Sequence, residues 1–407
     1  MLKTVRSLMF VAVALSLLLA ACATPPAAVG TPETVVQTVV VAPSADPNMP
    51  APLAAGSVQI NGAGATFPLP VYTAWTYAYQ YVDPSVVLNY QGIGSGGGKK
   101  GIIDGTIDFA GSDSLLKDPD EYTAGKDLQM YPMLAGAVAV IYNVKFTAPK
   151  TEPVGAGTPT PAAPKYATLI LDRQTLVDIY NGKLKTWNDP AILALNPDLK
   201  DALPAAPITV VHRSDGSGTT EIFTKSLASF SKDWAAGGAS AVEWPVDKAG
   251  NGVGGKGNQG VAASVINTAN SIGYVELSFA ISNSLSYASV VNKAGKTVVP
   301  NAASVESAMN DFATAFTPKL TATIVDGAGE GSYPITGYTY LILHTTSMTD
   351  CVKAGKLLDY INWSLTDAGA SAAASKLGYS VLPGAIRDQV LAKLGEVTCN
   401  GAPVMKK

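Results

Sequence analysis

Arg213, Ser214, Asp215, Gly216, Ser217, Gly218, Thr219 and Thr220 lie between two apolar patterns. Before them runs Ile208–Thr209–Val210–Val211, which reads as a buried strand. After them come Ile222, Phe223, Leu227 and Phe230, at the spacing of an amphipathic helix. A fixed cation at a strand end, with glycines and hydroxyls at a helix start, suits the holding of an oxyanion. The first helical N–H groups have no internal partner, and the helix dipole favours negative charge there. An ordinary turn with an N-cap is the other reading of the same residues. Asp215 either orients the Arg213 guanidinium or simply forms the turn.

Three earlier stretches have a similar character. Val58–Gln59–Ile60 reads as a strand running into Gly62–Ala63–Gly64–Ala65–Thr66–Phe67–Pro68, with Pro68 placed to open a helix. Tyr72, Trp75, Tyr79 and Val82 follow at helical spacing and are expected to pack into a core. Val86–Val87–Leu88–Asn89–Tyr90 reads as a second strand, leading into Gly92–Ile93–Gly94–Ser95–Gly96–Gly97–Gly98–Lys99–Lys100. This is not a nucleotide P-loop: the glycine spacing before Lys99 is wrong, and Lys100 stands where Ser or Thr should bind magnesium. The Ser95 hydroxyl and nearby N–H groups still suit an anion. Lys99 and Lys100 either strengthen the local positive field or are solvated helix residues, and solvation is the expectation. A third strand, Ile107 to Asp113, ends in a carboxylate whose default role is to cap the turn that follows. Strand–helix–strand–helix–strand marks an α/β domain. Further on, Ala135–Tyr142 reads as a buried strand, Trp187 as a packed anchor, and Gly254–Gly255–Lys256–Gly257–Asn258 as another polar glycine loop.

The 407 residues are enough for two domains. A net charge of −3 and the lack of long basic runs argue against nucleic-acid binding. His212 and His344 are the sole histidines, so a histidine-rich metal centre is excluded, though a carboxylate site is not. No metal or cofactor is expected. Lys3 and Arg6 precede a nearly continuous apolar run, Met9 to Ala21, which reads as a signal peptide over 1–21. Leu19–Ala20–Ala21–Cys22 resembles a bacterial lipobox, with Cys22 lipidated as the first mature residue. Residues 22–56, rich in Pro, Ala, Thr and Val, read as a flexible linker. Cys351 and Cys399 then remain, and in an exported chain they are expected to form a disulfide, free thiols being the alternative. The Pro-rich residues 147–165 read as a mobile surface loop.

Taken together, the chain resembles the phosphate-binding protein of bacterial ABC-type phosphate uptake systems, the PstS family, over roughly residues 57–395. Six motifs carry the likeness: Gly62–Pro68, Tyr90–Ser95, Asp108–Asp113, Arg213–Thr219, Gly254–Asn258 and Ile272–Gly273–Tyr274–Val275–Glu276. The resemblance implies an α/β, type II periplasmic-binding-protein fold with the ligand cleft between two domains. It places domain I at 57–132 plus 333–407 and domain II at 133–332. It implies phosphate contacts at Thr66, Phe67, Ser95, Asp113, Arg213, Ser217, Gly218 and Thr219, with Asp215 in support. Phosphate near neutral pH carries a proton that it can donate to Asp113, whereas sulfate brings only acceptors. The implied partners are inorganic phosphate, membrane permease subunits and a cytoplasmic ATPase, for a monomeric, lipid-anchored protein of the cell envelope. Gly96 stands where many relatives carry serine, and His212 is an unusual neighbour for Arg213. Two alternatives remain: a phosphate-ester hydrolase using Ser217 as nucleophile, and an oxyanion sensor or adhesin without transport.

Overall fold

The structure, a computed structural model, describes residues 54–147 and 168–405. The signal peptide, Cys22, the linker up to residue 53 and residues 148–165 of the Pro-rich loop fall outside the described residues. The elements that matter to the site are β1 (Val58–Gly64), α1 (Leu69–Tyr79), β2 (Val86–Gly92), α2 (Ser95–Ile103), β3 (Phe109–Ser112) and β4 (Leu128–Asn143). They continue with β5 (Thr209–Arg213), α3 (Gly218–Phe230), β6 (Gly252–Gly255), α4 (Gly257–Asn267), β7 (Ser271–Glu276) and α5 (Leu277–Ser282). The last three are β8 (Thr336–His344), α6 (Cys351–Thr366) and α7 (Ala368–Lys376).

These strands form one sheet in the order β2-β1-β3-β8-β4-β7-β5-β6. At one end β1 pairs parallel with β2 and β3, and at the other β5 pairs parallel with β6 and β7. β4 joins the two halves. Its residues up to Ala137 pair antiparallel with β8, and from Val138 onward with β7. The change of partner therefore lies at Ala137/Val138, with residue 132 inside the strand. The return crossing is just before β8, where the Val138 N–H donates to the Ile335 carbonyl.

β4 is buried along nearly its whole length, so its sequence shows a near-continuous apolar run instead of alternation. Pro132 interrupts the pattern without ending the strand. Opposite it the ladder slips at Thr339/Tyr340, so the imino nitrogen sits at an irregularity rather than in regular pairing.

Tyr72, Trp75 and Tyr79 are buried as expected, but Val82 is 55% exposed. α1 ends at Tyr79, and Val82 turns outward ahead of Asp83–Pro84, where a proline disfavours helix in the residue before it. Lys99 also departs from expectation. It is buried, and its Nζ donates to Glu121 at 2.9 Å and to the Leu115 carbonyl at 3.2 Å. Lys100 is the solvated one, paired with Asp104. Neighbours in sequence on a helix face about 100° apart, so one turned into the 115–121 segment and the other away from it. Trp187 is fully buried and donates its indole N–H to the Asn270 carbonyl. Cys351 and Cys399 form a disulfide that closes a separation of 48 residues and ties the start of α6 to the C-terminal region. Restricting the unfolded chain in this way stabilises by roughly 4 kcal/mol on a chain-entropy account. Among the described residues, no helix is long and apolar enough to cross a membrane.

Candidate anion-binding site

In open α/β sheets, ligands sit at the carboxyl ends of the parallel strands, where following helices begin. Each expected contact residue occupies such a position. Thr66 and Phe67 follow β1, Ser95 opens α2, and Asp113 follows β3. Arg213 ends β5, and Ser217, Gly218 and Thr219 begin α3. The first group comes from one half of the sheet and the second from the other.

The two groups meet. The Gly218 N–H donates to Ser95 Oγ at 3.0 Å, and the Gly96 N–H donates to the Gly216 carbonyl at 3.0 Å. Asn258, at the start of α4, bridges the halves. Its Nδ2 donates to Thr66 Oγ1 at 2.9 Å and to Thr219 Oγ1 at 3.1 Å, and its backbone N–H also donates to Thr66 Oγ1. Thr66, Ser95, Arg213, Ser217, Thr219 and Asn258 are all buried.

Glycines permit this approach. A Cβ on Gly218 would lie 2.5 Å from both Asp113 Cβ and Ser114 N. Gly94 has φ +88°, and a Cβ there would lie 2.3 Å from Asp215 Oδ2. The first glycine is needed for space, the second for space and backbone conformation.

Charge is arranged around Arg213 and Asp113. Arg213 Nε donates to Asp215 Oδ1 at 2.7 Å and Nη2 to Oδ2 at 2.5 Å, a two-point pairing that fixes the guanidinium plane. Asp215 Oδ1 also accepts the Gly257 N–H at 3.0 Å. Burial raises the Asp215 pKa, but Arg213 and these N–H groups outweigh it and hold the carboxyl below its usual range. The Arg213 backbone N–H donates to Tyr274 Oη at 3.2 Å, and Tyr274 shares a 2.7 Å hydrogen bond with Thr220.

Asp113 does not cap the following turn. Its Oδ1 accepts from Thr339 Oγ1 at 2.8 Å, from the crossing strand β8, and its backbone N–H donates to Ser95 Oγ at 3.3 Å. Burial pushes its pKa up to about 7, against the lowering effects of Thr339 and Arg213. Such a carboxyl is poised to share a proton at neutral pH.

Three contributors were outside the expected contact set. Asn258 stands in the quoted motif Gly254–Asn258, but sequence assigned it no chemistry. Thr339 lies in an apolar run that signals only a strand. Tyr379, whose hydroxyl donates to the Phe67 carbonyl at 2.7 Å, is 312 residues away in the chain.

The two histidines are engaged elsewhere. His212 bonds through Nδ1 to the Arg213 carbonyl and through Nε2 to Asp247, and its ring stacks on Trp244. His344 bonds to Asp127 and the Ile102 carbonyl. Ser217 Oγ accepts the Thr220 N–H as the N-cap of α3. Among the described residues, no group of three or more His, Cys, Asp or Glu side chains could hold a metal ion.

A family model for the PBP superfamily domain matches residues 49–368. Phosphate-binding protein PstS of Pasteurella multocida is 37% identical over 337 residues, covering 82% of this chain and 89% of its own. Phosphate-binding protein PstS of Methanocaldococcus jannaschii is 35% identical over 326 residues, covering 76% and 79%. Among solved structures, a high-affinity periplasmic phosphate-binding protein (PfluDING) bound with phosphate matches with TM-score 0.62 at 23% identity, covering 82% of this chain and 93% of that one. The fold is thus that of the periplasmic binding proteins, and the chain belongs to the PstS family of phosphate-binding proteins within the PBP superfamily.

Proposed function

We propose that the protein binds inorganic phosphate outside the cytoplasmic membrane and delivers it to an ABC-type permease. One observation carries the reading: a buried guanidinium, the starts of α1, α2 and α3, and the proton-accepting carboxyl of Asp113 converge from two halves of one sheet. Thr66, Ser95, Ser217 and Thr219 supply hydroxyls, the Phe67 and Gly218 N–H groups add donors, and Arg213 supplies fixed charge. Asp113 takes the proton that phosphate carries. Asp215 holds Arg213 in plane, and Asn258 links the two walls.

Within this reading the molecule is a two-domain receptor. Domain I comprises 57 to about 137 plus 336 onward, and domain II the segment between, the hinge lying where β4 changes partner. Closure encloses the ion and reopening at the permease releases it. The remaining assignments follow from the family resemblance and the N-terminal sequence: a signal peptide, a lipid on Cys22, a linker holding the receptor at the membrane, and a monomer serving two permease subunits and an ATPase. Ser217 as a nucleophile has nothing in its favour, since both histidines are bonded to other groups.

Calorimetry on the fragment from residue 54 onward tests the assignment. Phosphate is expected to bind tightly, arsenate to compete because it also carries a proton, and sulfate to bind far more weakly. Equal affinity for sulfate and phosphate would remove the basis for Asp113's role, and no binding of any of the three would end the proposal.

Gly218→Ala tests closure. A methyl group overlapping Asp113 and Ser114 would keep the walls from meeting, at a cost of about 1–3 kcal/mol. Phosphate affinity is therefore expected to fall about 10- to 100-fold, with small-angle scattering in saturating phosphate showing a larger radius of gyration than for the unsubstituted protein. An unchanged affinity and radius would mean that this contact is not part of the bound form.

A further inference from the structure

Glu276 is a fully buried carboxyl that the proposed phosphate contacts do not use. It ends β7 and caps α5, accepting the Ser278 N–H at Oε2 at 2.9 Å. The same oxygen accepts the Ser278 hydroxyl and lies 2.8 Å from Tyr379 Oη. Oε1 is buried without a hydrogen-bond partner. Tyr379, between α7 and the short strand Ser380–Val381, also lies 2.7 Å from the carbonyl of Phe67.

Counting protons decides the state of this cluster. A tyrosine hydroxyl carries one hydrogen and can donate it once. An ionised Glu276 and the Phe67 carbonyl are both pure acceptors, so they would compete for that hydrogen. One contact would be left without a proton, beside a buried charge with one unpaired oxygen. A neutral Glu276 removes the conflict. Its O–H donates to Tyr379 Oη, and Tyr379 donates to Phe67.

We propose that Glu276 is a positioning residue held as a neutral carboxylic acid, and that the relay Glu276–Tyr379–Phe67 latches the two halves of the molecule beside the anion site. Glu276 belongs to the half that carries Arg213, whereas Tyr379 and Phe67 belong to the half that carries Asp113. The latch reaches the cradle by two routes. Tyr379 holds the carbonyl of the turn that presents Thr66 and the Phe67 N–H. The Glu276 backbone N–H donates to Asn258 Oδ1 at 3.0 Å, fixing the amide that bridges Thr66 and Thr219.

The surroundings favour the neutral acid. The titratable groups facing Glu276 are Tyr379 and, from the end of β3, Asp113; α4 presents neutral Asn258, α5 neutral Ser278, and β4 Val138. Burial pushes its pKa up to about 8, against the lowering hydrogen bonds from Ser278 and Tyr379, and Asp113 raises it further. Ionisation above that pH leaves two acceptors for one proton and opens the latch.

This inference rests on the phosphate-binding reading for its affinity readout, so the test includes a second readout that does not. Phosphate affinity is measured by calorimetry from pH 7 to 9.5 on the protein, Glu276→Gln and Tyr379→Phe. Above pH 8 the unsubstituted protein is expected to lose affinity by up to about tenfold per pH unit, as a single linked ionisation dictates. Glutamine does not titrate, so Glu276→Gln should lack that decline whatever its affinity at pH 7. Tyr379→Phe, which breaks the relay, should bind about tenfold more weakly at pH 7 with a flatter profile. The same decline in Glu276→Gln as in the unsubstituted protein would overturn the inference, as would unimpaired binding by Tyr379→Phe. Independently of phosphate, the infrared difference spectrum between the protein and Glu276→Gln at pH 6.5 should contain the carbonyl stretch of a protonated carboxyl. Absence of that band overturns the inference. If the band is present but phosphate fails to bind any form, the neutral acid stands, its effect on the cradle is refuted, and the phosphate reading falls with it.

Discussion

Arg213→Met is expected to lower phosphate affinity about a thousandfold, the largest single loss at the site. Two effects add. Hydrogen bonds to charged groups contribute about 1.5–3 kcal/mol each, and the guanidinium presents its donors from a fixed plane. Removing it also strands Asp215, which pairs with Arg213 through both oxygens and is half-buried next to the expected anion. An uncompensated carboxylate there repels the ligand that the arginine attracted, and about 1.4 kcal/mol corresponds to each tenfold loss. Arg213→Lys keeps the charge but cannot grip both Asp215 oxygens while facing a ligand, so an intermediate loss is expected. Combining Arg213→Met with Asp215→Asn should recover part of the deficit by removing the stranded charge. Calorimetry of the three variants decides it. A loss below tenfold for Arg213→Met would show that the guanidinium does not face the anion.

Asp113→Asn is expected to lower the preference for phosphate over sulfate by at least about a hundredfold. A site that must accept a proton rejects an analogue without one far more strongly than a pocket rejects a wrong shape, by up to about 10⁴-fold or more. Asparagine keeps its carbonyl oxygen on Thr339 and turns its amide N–H toward the ligand, so sulfate gains a donor as phosphate loses its acceptor. The buried carboxyl sharpens this expectation. With a pKa of about 7, Asp113 is partly protonated near neutrality, and a protonated Asp113 can itself donate to sulfate. Discrimination by the unsubstituted protein should therefore weaken as pH falls below about 7, whereas Asp113→Asn should show little such dependence. Competition calorimetry at pH 6 and pH 8 reads both effects, and a ratio unaltered by the substitution would refute the role.

The same residue sets a cost in stability. Its folded pKa lies above the unfolded value of about 3.9, so the folded state prefers the neutral acid. That preference is fully expressed below about pH 4 and is lost as pH rises through about 7. Free Asp113→Asn should then resist denaturant better than the unsubstituted protein at pH 8, by on the order of a few kcal/mol, while binding phosphate worse. Binding residues commonly trade in this direction.

Which parts of the molecule could be read in advance follows from the range of the forces involved. Strands that enter glycine turns and helices carry local signals, so β1–α1, β2–α2, β3 and β5–α3 were legible, as was the order of residues around each turn. α7 was not: Ala368–Gly369–Ala370–Ser371–Ala372–Ala373–Ala374 shows no apolar periodicity to mark a face. The full extent of β4 was also hidden: the expected strand began at Ala135, whereas β4 begins at Leu128 and takes in Pro132 where β8 slips opposite it.

The sequence by itself determined that glycines, short hydroxyl side chains and one arginine stand where strands pass into helices, a pattern suited to an oxyanion, and which family the chain resembles. Short side chains and glycines at strand ends declare that chemistry locally. The tertiary structure decided what each group touches. Asp113 finds Thr339 across 226 residues, Thr66 finds Asn258 across 192, and Glu276 finds Tyr379 across 103. No local propensity encodes such distant pairs. They arise because two halves of one sheet direct their strand ends at each other, and the burial that results shifts the protons on Asp113 and Glu276.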